Sequence, residues 1–456
     1  MLKNCTYDGR NIDFVTENFE SDKQNKFTIV VGKNGTGKSR FLRAIIENFV
    51  DIKDADIQRS ATIRSPWQRP ELHISSNPTP SQIIAVSTSP FDRFPIQDRL
   101  SVHRNVEEHE NYQYLGLRGL GSNNLSLSFM SRTLWALIKA VSSDNTRGQT
   151  IQTVLGYLGY SGFIEARFVC ALSRNRLEEI LTASNPLDDL SRFRSINSDR
   201  FISNLRRMEP SEARECLESI SYWYISRSKP RLDIRIDASG VVDVEGLGEF
   251  NESLLPLFKL GFFQLRDVGL KKQNHDHLIR INDASSGEQC VVMALLGIAS
   301  HIQDGALVCI DEPEICLHPE WQERYIELLM TTFGQFYGCH FVIATHSPQI
   351  IAQLKDENCF VLDLESGITT VASNFNGRSI DFQLARVFKA PGFKNEYLSR
   401  VIFDALRVIG SGEQLSADKA TEVRTLLPLK SVLNEDDPVK ALMEILEKSL
   451  DSLRDK

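Results

Sequence analysis

Residues 27–39, FTIVVGKNGTGKS, restrict the possible folds of this chain more than any other stretch. Residues 27–31 alternate and favour β structure. Glycines then break the strand, and the run RFLRAIIENFV has the spacing of a helix. Gly32, Gly37, Lys38 and Ser39 stand at G-x-x-x-x-G-K-S, in the strand–loop–helix order that a phosphate-binding loop requires. Glycine lets the backbone turn tightly and aim its N–H groups at phosphate oxygens. The helix start adds partial positive charge. The expected phosphate-binding set is Gly32, Lys33, Asn34, Gly35, Thr36, Gly37, Lys38, Ser39 and Arg40. Lys38 would sit between the β- and γ-phosphates, and the Ser39 hydroxyl would hold Mg²⁺. A nucleoside triphosphate, ATP in the first instance, is therefore the expected ligand.

A second set of elements follows some 240 residues later. DASSGEQ (283–289) opens an apolar helical run and makes another anion-binding helix start. The strand ALVCI ends in Asp311-Glu312-Pro313. Asp311 would hold Mg²⁺ through water, and Glu312 would orient or deprotonate an attacking water. The strand HFVIA ends in Thr345-His346-Ser347-Pro348, where His346 can reach a γ-phosphate or the Glu312 water. Buried strands often end in acids, so the order of the elements carries more weight than any one of them.

Away from these motifs the reading is plainer. Residues 2–20 predict edge strands ahead of the loop. One of Tyr7, Phe14 or Phe19 could stack on an adenine, although a core aromatic is the simpler use. QIIAVS (82–87) reads as a short buried strand, and the polar turn after it ends at a sheet edge where ligands bind. Ser87, Ser89, Asp92 or Gln97 could face a nucleotide there; a plain loop fits equally. From residue 131 to about 260 the periodicity is mostly helical. Arginines concentrate between Arg167 and Arg235, interleaved with acids. They suit either phosphate contacts or a mixed-charge surface. Hairpins are expected about Asp237-Ala-Ser-Gly240 and about Glu365-Ser366-Gly367. Two apolar stripes, Phe393 to Ile409 and Val439 to Leu453, predict amphipathic helices in the tail.

A net charge of −8 argues against a wholly basic nucleic-acid coat. No apolar run approaches the ~20 residues of a membrane span. The first residues hold no apolar signal core, and the eight cysteines are scattered with no C-x-x-C. Reduced core thiols, a cytoplasmic location and no membrane partner are the expectation.

The order of motifs resembles that of ABC-type ATPases. SSGEQ is similar to their signature motif. Ser286 and Gly287 align with its serine and first glycine, and Glu288 stands where transporters have glycine, as in SMC- and RecF-like members. THSP resembles the H-loop, and LHP the D-loop of the RecF/OLD-like branch. The resemblance covers residues 27–48 and about 283–363. It implies an α/β P-loop ABC-type head, a mostly parallel sheet with N-terminal antiparallel strands. A helical lobe is inserted and a helical tail follows. The expected divisions are 1–100 and 271–375 for the head, 101–270 for the mostly helical insertion and 376–456 for the tail. It also implies a homodimer or higher oligomer, in which Ser286, Gly287 and Glu288 of one copy close on the nucleotide of the other.

STSPFDRFP (87–95) and APGFKNEYL (390–398) narrow the resemblance to PtuA-type ATPases of Septu and retron-linked anti-phage systems. That implies a separate HNH nuclease partner of the PtuB type, with DNA or a retron RNA–DNA hybrid as a further partner. A RecF/SMC-like repair ATPase that clamps DNA is the alternative. An OLD-type nuclease would need metal-binding carboxylates at strand ends in the tail. Glu435, Asp436 and Asp437 read instead as a loop and helix start, so no nuclease is expected here.

Overall fold

The computed structural model describes residues 2–16, 23–50, 72–74, 79–96, 111–118, 125–144, 146–182, 199–225, 227, 229–245, 248–352, 354 and 356–454. Phe19, Gln97, Arg192 and Arg194 lie outside the described residues. The chain forms two compact units, one of residues 1–116 with 303–456 and one of residues 117–302.

The first unit is built on a seven-stranded sheet. Its order is Ile368–Val371, Cys359–Asp363, Lys26–Val31, His340–Ala344, Leu307–Asp311, Ile83–Ser87, Tyr112–Gly116. Neighbouring strands run parallel except Ile368–Val371, which turns back on Cys359–Asp363 in the expected hairpin. The central strands are apolar runs because both faces are covered: Lys26–Val31, Leu307–Asp311 and His340–Ala344 are buried along their whole length. Helix Lys38–Phe49 covers one face through Phe41, Leu42, Ile45 and Ile46. A three-stranded antiparallel sheet (Arg10–Asp13, Asn4–Tyr7, Leu72–Ile74) adds to the same core. Tyr7 meets Phe41 edge-on at 4.9 Å and Phe14 stacks on it at 5.8 Å. These two aromatics pack in the core, so neither is available for an adenine. Phe14 also fixes the P-loop strand, its carbonyl accepting the Thr28 hydroxyl at 2.9 Å.

The tail of this unit is helical, with Ile380–Arg386, Glu396–Gly410, Ala417–Leu426 and Pro438–Arg454. Both predicted stripes contribute to one core: Tyr397, Leu398, Ile402 and Ala405 meet Val439, Met443 and Leu446.

The second unit differs from the mostly helical expectation for residues 101–270. It has the helices, among them Leu125–Ser143, Thr146–Tyr157 and Pro210–Ile225. It also has a six-stranded antiparallel sheet, in the order Gly248–Glu249, Gly240–Asp243, Arg231–Asp237, Tyr160–Cys170, Phe263–Lys272, Leu278–Arg280. The hairpin about residues 237–240 is its third and second strands. The sheet engages four of these arginines, and Arg174 and Arg214 pair with Glu178 and Glu218 along their own helices. Arg167 faces Asp233 across the ladder at 2.8 Å, and Arg235 faces Glu165 at 2.5 Å. Arg231 bridges Glu245 at 2.5 Å, and Arg227 pairs with Asp243. Opposite charges placed directly across strands stabilise a sheet, and guanidinium groups so engaged are not offered to phosphates.

Candidate active site

The P-loop strand ends at Val31, and the next residues cannot continue it. Gly32 has φ +156°, and a Cβ there would stand 2.9 Å from the Thr36 hydroxyl oxygen. Gly37 caps the helix at φ +92°, where a side chain is strained. No side chain caps the helix, so the first-turn N–H groups remain available to an anion. Lys33, Asn34 and Gly35 are exposed, as is Arg40. Thr36 closes the turn, its hydroxyl donating to the Lys33 carbonyl at 3.0 Å.

Lys38 is buried and folds back over the loop. Its Nζ donates to the Gly32 carbonyl at 2.8 Å and lies 3.2 Å from His346 Nδ1. Burial lowers its pKa to about 8 against the pull of Glu312, Glu314 and Asp311.

Strand register brings the other groups here. Asp311 pairs with Ala344, and Ala344 with Val30, so three strands end side by side. The Ser39 hydroxyl donates to Asp311 Oδ1 at 3.1 Å. Burial, with Glu312, Asp92 and Glu314 nearby, raises the Asp311 pKa to about 7. A hydroxyl beside a buried carboxylate among other acids is a donor set that suits a hard divalent cation.

Glu312 leaves the strand at φ +49°, unusual for a side-chain-bearing residue, while its N–H donates to the Ala344 carbonyl at 2.9 Å. Such an outlier aims a side chain where a regular strand would not. Glu312 Oε1 lies 3.8 Å from His346 Nε2. Burial, then the nearby Lys38, lowers the His346 pKa to about 4, so the ring is neutral at pH 7. An ammonium can only donate, so Nδ1 accepts from Lys38 and the ring proton sits on Nε2, facing Glu312. The contacts link a cation, an imidazole and a carboxylate one after the other. These groups can position a phosphate at one end and a water at the other.

Glu314 belongs to this site and was missed in the sequence. It is held in the turn Pro313–Cys316, and its Oε1 accepts the His346 backbone N–H. Its Oε2 is buried with no hydrogen-bond partner, and burial raises its pKa. The only available signal was the third acid of D-E-P-E. The Ser347 hydroxyl, next along, donates to Gln322 Oε1 at 2.6 Å, tying the histidine turn to helix Pro319–Phe333.

The turn after strand Ile83–Ser87 is internally bonded. Ser87 Oγ accepts the Ser89 N–H at 3.1 Å, Ser89 Oγ accepts the Phe91 N–H at 3.2 Å, and Asp92 accepts the Tyr114 hydroxyl at 2.6 Å. Ser87 is nonetheless the register partner of Asp311, and Asp92 acts on that acid electrostatically.

Ser286, Gly287 and Glu288 belong to the unit 117–302, at the start of helix Ser286–His301. Ser285 is the cap and forms a capping box with Glu288: Ser285 Oγ accepts the Glu288 N–H at 3.2 Å, and Glu288 Oε2 accepts the Ser285 N–H at 3.1 Å. Lys272 bridges the other Glu288 oxygen at 3.2 Å. Partial burial pushes the Glu288 pKa up, but these partners hold it below the usual value. Glu288 thus has a local task, and Ser286 beside it is exposed.

The family described as “AAA domain, putative AbiEii toxin, Type IV TA system” matches residues 27–352. “Retron Vc95 probable ATPase” of Vibrio cholerae serotype O1 biovar El Tor is 21% identical over 417 residues, covering 80% of this chain and 75% of that protein. “Retron Ec83 probable ATPase” of Escherichia coli is 28% identical over 121 residues. That match covers 24% of this chain and only 22% of the relative. Among solved structures, the Smc head domain of Pyrococcus furiosus bound to the C-terminal domain of ScpA gives a TM-score of 0.29 at 11% identity, covering 81% of this chain and 95% of that one. An ATP-binding cassette of an ABC transporter in its ADP conformation gives 0.24 at 12% identity, covering 83% and 87%.

Proposed function

Since the chain belongs to the family described as “AAA domain, putative AbiEii toxin, Type IV TA system”, we propose that its ATPase cycle controls a separate nuclease in an anti-phage defence complex of the Septu or retron-linked kind. The protein is an ATPase of the AAA/ABC type, related to retron ATPases. The observation that supports ATP turnover is the run of contacts from Lys38 through His346 to Glu312, with Ser39 on Asp311 beside them.

In this reading the loop N–H groups and Lys38 bind the β- and γ-phosphates. Ser39 and Asp311 hold Mg²⁺, which offsets the phosphate charge. Glu312 takes a proton from the attacking water, and His346 orients that water or the γ-phosphate. Ser286, exposed on a helix start fixed by its capping box, closes on the γ-phosphate of a second copy. Closure then depends on the γ-phosphate and is lost on hydrolysis. The relative named as a retron ATPase along most of its length supports the defence setting. A DNA-clamping reading gains little, because the arginines of the antiparallel sheet are paired with acids.

The test is co-purification with the product of the neighbouring gene, with and without ATP. A retained HNH nuclease whose cutting changes with nucleotide is the expected result. If the ATP-loaded protein stays monomeric and retains no nuclease in either state, the control function is wrong, although ATP turnover could persist.

A further inference from the structure

A cavity of about 840 Å³ lies in the first unit, away from the P-loop. Its walls are the strand Ile368–Val371, helix Ile380–Arg386, helix Glu396–Gly410 and helix Ala417–Leu426. In a chain of net charge −8, four cations converge on it: Arg378, Arg386, Lys389 and Arg400. Two acids, Asp404 and Glu422, also line it.

Of these acids Glu422 is engaged, while Asp404 has only a long contact with an exposed arginine. Glu422 accepts the Tyr397 hydroxyl at 2.6 Å and has Arg386 at 4.0 Å. Asp404 has Arg407 at 3.8 Å. Lys389 is tied to Asp363 at 2.7 Å. Arg378 and Arg400, by contrast, have no acid partner among the described residues, and both are exposed. Arg378 lies over the Phe382 ring at 5.2 Å, and Phe382 meets Tyr397 edge-on at 4.9 Å. Guanidinium forks match phosphate oxygens two at a time, and stacking on a ring holds their planes. The volume is that of a small-molecule site, larger than inorganic phosphate needs.

We propose that this cavity is a second anion site that takes a phosphorylated nucleoside, with Arg378 and Arg400 on the phosphate. Two sources present that chemistry: a free mononucleotide and the phosphorylated end of a single strand.

The test uses the full chain carrying Lys38→Ala, which removes the P-loop's main phosphate contact. Probes are fluorescently labelled AMP and a labelled 5′-phosphorylated DNA tetranucleotide, followed by anisotropy. At least one should bind saturably, and adding Arg378→Ala with Arg400→Ala should weaken it by about ten-fold or more. Tighter binding of AMP assigns the site to a free nucleotide; tighter binding of the tetranucleotide assigns it to a strand end. Both arginines are exposed, so the melting temperature should not move, and ATP binding to the double-arginine variant with Lys38 intact should be unchanged. Absence of saturable binding by both probes, or binding indifferent to the two arginines, overturns the proposal.

Discussion

Asp311 is the residue on which the electrostatics of the nucleotide site can be weighed. Its carboxyl is buried, and loss of water, aided by Glu312, Asp92 and Glu314, raises its pKa from 3.8 to about 7. Between those values the folded chain binds a proton that the unfolded chain has released. The stability from this group is therefore complete below 3.8 and falls as pH rises to about 7. From pH 5 upward, about two units of the shift remain, an upper bound of roughly 3 kcal/mol. Removing the charge also costs Lys38 an attractive neighbour, and proteins screen buried charge better than a dry interior would. About half the bound, ~1.5 kcal/mol, is the expected change. The wild-type pH profile alone does not isolate it. His346, lowered from 6.5 to about 4, contributes a slope of opposite sign across that interval. Asp311→Asn removes the titration and keeps an oxygen to accept the Ser39 hydroxyl, now at 3.1 Å. In EDTA without nucleotide, the variant's melting advantage should widen by about 1.5–3 °C between pH 5 and pH 8. With Mg²⁺ and ATP present the order should reverse. A variant that loses ground to wild type as pH rises in EDTA would refute the account of Asp311.

Two further substitutions separate binding from turnover. Glu312→Gln should keep ATP affinity, lower hydrolysis by roughly 10²–10⁴-fold, and accumulate an ATP-bound dimer measurable by light scattering; normal turnover would remove Glu312 from its assigned role. Glu314→Ala removes the acceptor of the His346 backbone N–H. It should reduce kcat by about ten-fold with little change in ATP affinity, since leaving a buried donor unsatisfied costs about 1–3 kcal/mol. An equal loss of affinity would mean that Glu314 acts on the nucleotide directly.

The parallel sheet was legible because its central strands are continuous apolar runs, each ending in a chemically distinct residue: Gly32, Asp311 or Thr345. Chain order and strand order together then determine which ends meet. The antiparallel sheet of the second unit was only partly legible, through the hairpin about residues 237–240. Glu165 and Arg167 alternate with buried Ile164, Ala166 and Phe168 on one strand. That alternation is itself a strand signal, outweighed in the helical reading by the flanking runs at 134–141 and 172–181; in the fold the two charges pair with Arg235 and Asp233 across the ladder. Nothing local to residues 160–170 names the partner strand some 70 residues on. Glu314 was hidden for another reason. Its burial is set by the histidine turn, which lies 32 residues later in the chain.

The titration shifts at the P-loop also bear on how ligands enter. Burial pushes Lys38 down to about 8 and Asp311 up to about 7, so each is driven toward neutrality despite the other's presence. Their mutual attraction is therefore smaller than the water they have lost. A triphosphate beside Lys38 would raise its pKa again, and a divalent cation on Asp311 would lower that of the carboxyl. Either ligand alone corrects one residue and brings its own uncompensated charge into the site. Both together correct both residues and neutralise each other, because the cation also binds the phosphates. His346 does not oppose this change, since a neutral ring accepts from Lys38 and adds no positive charge beside the carboxylates. A site so arranged would favour a metal–nucleotide complex over its components, through burial as much as through any single contact.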